Sequence, residues 1–322
     1  MRPIAWIALV FTAAGCGEST GPLADLSELG TSVAVVNTVF ASPLVLSVDV
    51  SRFGAILAAP AAGAPLIPDS LLGKTLAFTC ASQRYAESGD SGAPATGVRV
   101  VLYRRAPDGS IACPATAIGQ LDLFDASAPG TTAVRGVVTG PGGSGPFVDY
   151  TITHNVADAE GVAAATGFVT DGQQRLDFQV TGEPGSGLNN TIATVQLDDA
   201  AADLHAVLHH AAEMGVDTYY EDVDLSVHDA VLSAELKGST GWFNTARSWD
   251  EIVSVNDAPV AKVGGSFVAE NEGPSISPIG GRLFFTGDER RILLDFVGAP
   301  DSIRADLAGV LGAGAHLVRI AL

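Results

Sequence analysis

Basic, aromatic and sulfur-containing residues are all scarce in this sequence. Its 322 residues include only 17 Lys and Arg against 36 Asp and Glu, so the formal net charge is -19. A nucleic-acid-binding surface needs clustered basic side chains, and this chain has only the pairs Arg104-Arg105 and Arg290-Arg291, so we expect no nucleic-acid partner. The chain is nevertheless 47% hydrophobic, which is typical of a folded protein and not of a disordered acidic tail.

Catalytic signatures are missing as well. The string Gly89-Asp90-Ser91-Gly92 resembles the nucleophile motif of trypsin-like serine proteases, but that family places its base histidine before the nucleophile, and the first histidine here is His154. The sequence contains no Walker-type phosphate-binding loop and no His-Glu-x-x-His string. We therefore expect a protein that is not an enzyme and that carries no cofactor.

The N-terminus is expected to be an export signal that occupies residues 1–15. Arg2 supplies one positive charge, and the apolar run that follows is too short to span a bilayer. The small residues at 13–15 and the cysteine after them, Cys16, resemble the lipobox of bacterial lipoproteins. The resemblance implies cleavage before Cys16 and lipidation of that cysteine. An ordinary secretory peptide that is cut nearby is the alternative.

The expected location is the cell envelope. Gly17 is not the Asp that holds lipoproteins at the inner membrane in Gram-negative sorting, so the resemblance favours the outer membrane, with the body facing the periplasm or the cell surface. Residues 16–24 are expected to be a flexible tether. Later apolar stretches are interrupted by polar residues, so the lipid is the expected membrane attachment.

Two further cysteines, Cys80 and Cys113, are expected to form a disulfide, because exported proteins fold in an oxidising compartment. Neither cysteine has a second cysteine or a histidine at ligand spacing, which disfavours a metal site there.

The hydrophobic pattern predicts one helix followed by many strands. Apolar residues recur at helical spacing over 25–40, so we expect a helix that ends before Pro43. The period then changes to two, which predicts half-buried antiparallel strands. These strands are expected at 98–104, 119–125, 147–153, 175–181, 192–198 and 221–227. Hairpin turns are expected at Asp108-Gly109 and Asp171-Gly172.

The C-terminal part is expected to continue this pattern. Strands are predicted near 260–270, 281–286 and 291–297, then a short helix at 301–311 and a final strand at 316–322. The predicted fold class is mainly β, a large antiparallel meander sheet that can curve into a half-barrel, with an N-terminal helix and a short C-terminal helix. Residues 25–322 are expected to form a single β-rich domain, with a subdivision near 140–146 as the alternative.

The segment 198–228 fits two structures. As a helix, it would place Leu204, Leu208 and neighbouring apolar residues on one side. As a hairpin that turns at Gly215-Val216, it would pair Leu208 with Val223 and separate apolar from polar residues on the two faces. The hairpin is the preferred interpretation.

The hairpin would gather three histidines and two aspartates on one polar face. Imidazoles and carboxylates are ligands that zinc accepts, so these residues are the candidate metal ligands. Cross-strand pairs of His and Asp on a solvated face are the favoured interpretation, so no bound metal is expected. The five residues are His205, His209, Asp222, Asp224 and His228.

The expected architecture resembles the half-barrel carriers of bacterial envelopes, such as lipoprotein carriers and mycobacterial lipid-binding lipoproteins. The segments 71–75, 97–103 and 118–123 are similar to uncharacterised cell-envelope lipoproteins that have no assigned function. The expected function is therefore a structural or partner-binding one without catalysis. The alternative is a carrier or receptor for an apolar or lipid-like ligand.

Overall fold

The computed structural model describes eight segments of the chain, over which the protein is mainly β with three α-helices. The segments are residues 25–48, 65–106, 109–155, 163–184, 190–214, 218–243, 246–267 and 274–318. The helices are α1 (Ser27–Phe40), α2 (Pro43–Leu46) and α3 (Gly287–Val318). The strands are β1 (Thr75–Thr79), β2 (Arg84–Ser88), β3 (Gly97–Tyr103), β4 (Ala117–Asp125), β5 (Thr131–Thr139), β6 (Val148–Asn155), β7 (Ala163–Thr170), β8 (Arg175–Pro184), β9 (Asn190–Asp199), β10 (Leu204–Met214), β11 (Thr218–His228), β12 (Ser233–Phe243), β13 (Ala246–Val255), β14 (Ala258–Phe267) and β15 (Ser275–Pro278).

All fifteen strands form one open sheet. From β3 to β15 each strand pairs antiparallel with the next one along the chain, which confirms the predicted meander. At the other end β1 lies between β3 and β2 and pairs parallel with β3, so the sheet is mixed. Residues 140–146 connect β5 and β6, which pair directly with each other.

The two faces of the sheet differ in the way that the period-two pattern predicts. In β11, Val223, Leu225 and Val227 are buried, while Asp222 and His228 on either side of them are exposed. The helices α1 and α3 cover the buried side, which we call the inner face, and the opposite side is the outer face. Each apolar side chain that is fully buried there contributes roughly 1.5–3 kcal/mol.

The N-terminal helix and the disulfide are confirmed. Helix α1 ends before Pro43, and Pro43 begins α2, whose N-cap Ser42 accepts a hydrogen bond from the Val45 N–H. The disulfide joins Cys80, which follows β1, to Cys113, which lies between β3 and β4.

The C-terminal prediction was wrong in most elements, although β14 occurs where a strand was expected. Residues 281–286 form no strand, and 291–297, the predicted helix at 301–311 and the described residues of 316–322 all belong to α3. The C-terminal helix is therefore 32 residues long and not short. The Thr286 hydroxyl accepts the Glu289 N–H while the Glu289 carboxylate accepts the Thr286 N–H, and this capping box starts α3 well before Pro300.

Residues 204–228 form the preferred hairpin, with a register that differs from the predicted one by two residues. Leu208 lies opposite Leu225 and not Val223, and His209 lies opposite Asp224 and not Asp222. The shift keeps every side chain on its predicted face, because side chains alternate with a period of two. The predicted turn residues 215–216 lie outside the described residues.

The β7–β8 turn is longer than the two residues predicted at Asp171-Gly172. It spans four residues, and the Asp171 carboxylate accepts the N–H groups of Gln173 and Gln174. The other predicted turn includes Asp108, which lies outside the described residues.

Two glycines allow α3 to pack closely against the sheet. The Tyr150 ring of β6 is fully buried and lies over Gly136 of β5, where an added Cβ would come within 2.3 Å of the ring. On its other side, an added Cβ at Gly314 of α3 would lie 2.9 Å from the Tyr150 ring. The absence of side chains at these glycines therefore sets the distance between α3 and the sheet.

Candidate functional site

The outer face of β8–β14 is acidic. Paired strands place their outward side chains on one continuous surface, and among the side chains that the structure describes there, seven carboxylates face three Lys or Arg residues. The carboxylates are Asp177, Asp198, Glu213, Asp222, Asp224, Glu235 and Asp250, and the cations are Arg175, Lys237 and Lys262. We call this surface the acidic face.

The candidate metal ligands lie on the acidic face, and they share that face as the sequence predicted. Two of the histidines form hydrogen bonds with neighbouring side chains. The Nδ1 atom of His205 is 2.5 Å from Oδ1 of Asp198, and Nδ1 of His209 is 3.0 Å from the hydroxyl of Thr194. Within the described segments, no group of three or more His, Cys, Asp or Glu side chains is arranged to hold a metal ion. The five residues are His205, His209, Asp222, Asp224 and His228.

A groove of about 380 Å³ crosses β7, β8 and β9 on the outer face. The guanidinium of Arg175 stacks on the Phe168 ring at 3.8 Å and also pairs with Asp177 at 2.6 Å. Asp177 lies directly opposite Asp198, a like-charge pair that is unfavourable unless a positive group lies close to it. The groove is therefore polar, and its chemistry suits a basic or hydrogen-bonding ligand.

A second cluster, which the sequence analysis missed, lies on the inner face under α3. Glu221 of β11 is at its centre, with a side chain only 4% exposed. Its Oε1 atom is 2.9 Å from Nε2 of His210 on β10 and 3.0 Å from Nη2 of Arg304 on α3. Its Oε2 atom accepts a hydrogen bond of 2.8 Å from the Tyr219 hydroxyl. Arg304 also contacts His210 directly and pairs with Asp301 at 2.6 Å.

These partners keep Glu221 ionised. Burial is the largest single influence on the pKa of Glu221 and raises it. The hydrogen bonds from His210 and Tyr219 and the positive charge of Arg304 act in the opposite direction and together lower the pKa below its ordinary value. Burial also raises the pKa of Tyr219, as does its hydrogen bond to Glu221.

We call the cluster of Glu221, His210, Tyr219 and Arg304 the clamp, because it joins α3 to the sheet. A buried carboxylate with three donors is satisfied, and its charged partner comes from a different layer of the structure. The sequence did contain a signal, because His210 and Glu221 occupy positions whose neighbours at i±2 are apolar. The partner could not be recognised, because Arg304 lies 94 residues after His210.

Apolar side chains of the helices pack on the inner face. Leu293, Phe296 and Leu311 of α3 and Leu29 and Val39 of α1 are completely buried. A groove of about 310 Å³ runs between α1 and Asp295 of α3, but it opens to solvent on the outer side of the helices.

The sequence matches no protein-family model, and no curated protein and no solved structure matches it either. None of the helices in the described segments combines the length and the apolar composition that crossing a membrane requires.

Proposed function

We propose that this protein is a lipid-anchored, non-catalytic protein of the bacterial cell envelope whose acidic face binds a basic partner. The observation that carries the proposal is the difference between the two faces of the sheet. The helices cover the apolar inner face, while the described side chains on the outer face of β8–β14 include seven carboxylates against three cations. A surface with such an excess of one charge attracts and orients a partner of the opposite charge.

The proposed anchor is the acyl group on Cys16, because the small residues before it resemble a lipobox. Outer-membrane placement follows from Gly17, which is not an inner-membrane retention signal.

The packing of the inner face favours this function over that of an apolar-ligand carrier. A carrier needs a cavity of roughly 300–1,000 Å³ that is lined mainly by apolar side chains. The side chains of α1 and α3 occupy the inner face where such a cavity would have to form, and Phe296 and Leu293 are fully buried there.

Site-specific photo-crosslinking in intact cell envelopes tests the binding surface. A photoreactive residue at Asp222, which is exposed on the acidic face, is compared with one at Asp69, which is exposed in the connection before β1. We expect a crosslinked macromolecule only at Asp222, and we expect the nearby charge reversal Asp250→Lys to reduce its yield. Equal yields at the two positions, or a yield that the charge reversal leaves unchanged, would contradict the proposal.

The mass of the N-terminal peptide of the mature protein tests the anchor separately. We expect a peptide that starts at Cys16 and carries the mass of a diacylglyceryl group. A peptide with an unmodified Cys16 would refute the anchor and leave the result for the acidic face unaffected.

A further inference from the structure

Two adjacent apolar side chains protrude from the connection between β15 and α3. Leu283 is 89% exposed and Phe284 is 74% exposed, the two highest values among the large apolar side chains that the structure describes. The connection is held firmly on both sides of the pair. Arg282, with a side chain only 6% exposed, lies 2.5 Å from the Glu289 carboxylate, and Glu289 belongs to the capping box of α3. Leu283 and Phe284 are therefore exposed to solvent, while the ion pair between Arg282 and Glu289 fixes the backbone next to them.

The pair lies beside the place where the N-terminal chain enters the fold. Hydrogen bonds from Ser27 lower the pKa of Asp25, and Asp25 is close enough to Glu289 and Arg282 for their charges to act on it. The first turn of α1 also packs on the start of α3, since a Cβ at Gly30 would lie 3.0 Å from the Ile292 side chain.

A third exposed apolar side chain belongs to the same end of the molecule. Val231 is 71% exposed on the β11–β12 turn, and Asp229 of that turn accepts a hydrogen bond of 3.0 Å from Ser32 of α1. Val231, Leu283 and Phe284, which we call the apolar rim, therefore flank the first two turns of α1.

The tether places this end of the body at the bilayer. Eight residues lie between Cys16 and Asp25, and the nine Cα-to-Cα steps that join them span at most roughly 30 Å when fully extended. An acyl group on Cys16 would therefore hold the apolar rim close to the membrane surface.

Basic residues next to the apolar rim suit anionic headgroups. Arg290 and Arg291 are exposed in the first turns of α3, where Arg291 also pairs with the exposed Asp288 at 3.6 Å. Leu294 follows on the same side of the helix at i+4 from Arg290 and is 40% exposed. Exposed apolar side chains with adjacent arginines are typical of surfaces that lie in a bilayer interface.

We propose that the apolar rim inserts into the headgroup region of the bilayer that holds the acylated Cys16, as a second membrane contact. This proposal rests on the proposed lipid anchor. The diacylglyceryl group would hold the chain at the bilayer but would leave the body free to rotate about its attachment, so a second contact fixes an orientation.

Tryptophan fluorescence of the mature protein in vesicles tests the proposal. The full chain with Phe284→Trp is expressed in a bacterial host, purified, and incorporated into vesicles of phosphatidylcholine with a minority of phosphatidylglycerol. Lipids brominated near the headgroup then quench nearby indoles. The matched control is Tyr220→Trp, because Tyr220 is 48% exposed on the outer face beside the β10–β11 hairpin end, away from the rim.

We expect at least about twofold stronger quenching in Phe284→Trp than in the control, with a shift of its emission to shorter wavelength as the indole leaves water. We also expect the difference to shrink when phosphatidylglycerol is left out. Quenching equal to the control overturns the proposal. An emission shift that appears in native envelopes but not in vesicles assigns the rim to a protein partner and overturns it as well.

The mass spectrum of the same preparation separates the two proposals. An acylated Cys16 together with quenching equal to the control refutes the rim and leaves the anchor in place. An unmodified Cys16 refutes the anchor, and the quenching comparison still decides whether the rim enters the bilayer.

Discussion

Replacement of Arg304 by methionine should destabilise the fold in a strongly pH-dependent manner. The substitution keeps an apolar stem over the sheet and removes the positive charge that faces Glu221. Glu221 then retains hydrogen bonds from His210 and Tyr219, but its carboxylate stays buried without its guanidinium partner. Burial, which raises the pKa of Glu221, is then opposed by fewer groups.

The expected loss follows from the burial of the two partners. Breaking a buried ion pair by removing one member costs about 3–5 kcal/mol. Because the Arg304 side chain is 28% exposed while that of Glu221 is 4% exposed, we expect the lower end of that range, about 3 kcal/mol at neutral pH. That loss corresponds to roughly a 100-fold change in the unfolding equilibrium constant.

The sign of the pH dependence follows from the lowered pKa of Glu221. A carboxyl whose pKa is lower in the folded state stabilises the fold above its ordinary value of 4.5, and the stabilisation is lost as the pH falls through the folded pKa. The difference in the free energy of unfolding between wild type and Arg304→Met should therefore be largest near neutral pH and should shrink as the pH falls below 4.5.

Urea unfolding followed by circular dichroism at about pH 7 and about pH 4 measures this difference. The control is Lys262→Met, which removes an exposed ion pair with Asp250 at 3.1 Å. That pair is worth under about 1 kcal/mol at either pH. An Arg304→Met variant no less stable than the control at neutral pH would refute the view that the clamp holds α3 to the sheet.

Three further outcomes are expected from the packing. Gly314→Ala should lower the melting temperature, because its Cβ would lie 2.9 Å from the Tyr150 ring. Gly309→Ala in the same helix should raise stability by up to about 1 kcal/mol, because nothing lies within 4 Å of its added Cβ. An equal effect of the two substitutions on thermal unfolding would contradict the described packing of α3. Cys80 and Cys113 are 33 residues apart, so reduction of their disulfide should lower the free energy of unfolding by about 4 kcal/mol in the chain-entropy model. Urea unfolding with and without reductant measures this change, and an unchanged urea midpoint would refute it.

The sheet could be predicted from the sequence because the pattern that indicates each strand lies within that strand. Alternation between apolar and polar residues in β3, β6 and β8 needs no knowledge of distant contacts, and Pro43 ends α1 by its own geometry. The shared face of His209 on β10 and Asp222 on β11 was also predictable, because a register error of two residues leaves every face unchanged.

The C-terminal helix could not be predicted from the apolar run at 291–297 alone. A short apolar run fits a strand as well as a buried helix face, and its length does not decide between them. The deciding signal was the capping box formed by Thr286 and Glu289, which starts the helix before that run.

The buried clamp and the close fit of α3 depend on contacts between distant parts of the chain. His210 and Glu221 violate the apolar pattern of the inner face, but the residue that makes this acceptable, Arg304, belongs to another layer. Gly136 and Gly314 are likewise explained only when the Tyr150 ring is seen between them.

The central claim is that α1 and α3, and not a bound lipid, fill the apolar face of the sheet. Native mass spectrometry of the gently purified mature protein, before and after denaturation, tests it most directly. The account predicts the same mass in both spectra, equal to the polypeptide from Cys16 with its acyl group. An additional mass of several hundred daltons that disappears on denaturation would contradict the account and identify the protein as a carrier.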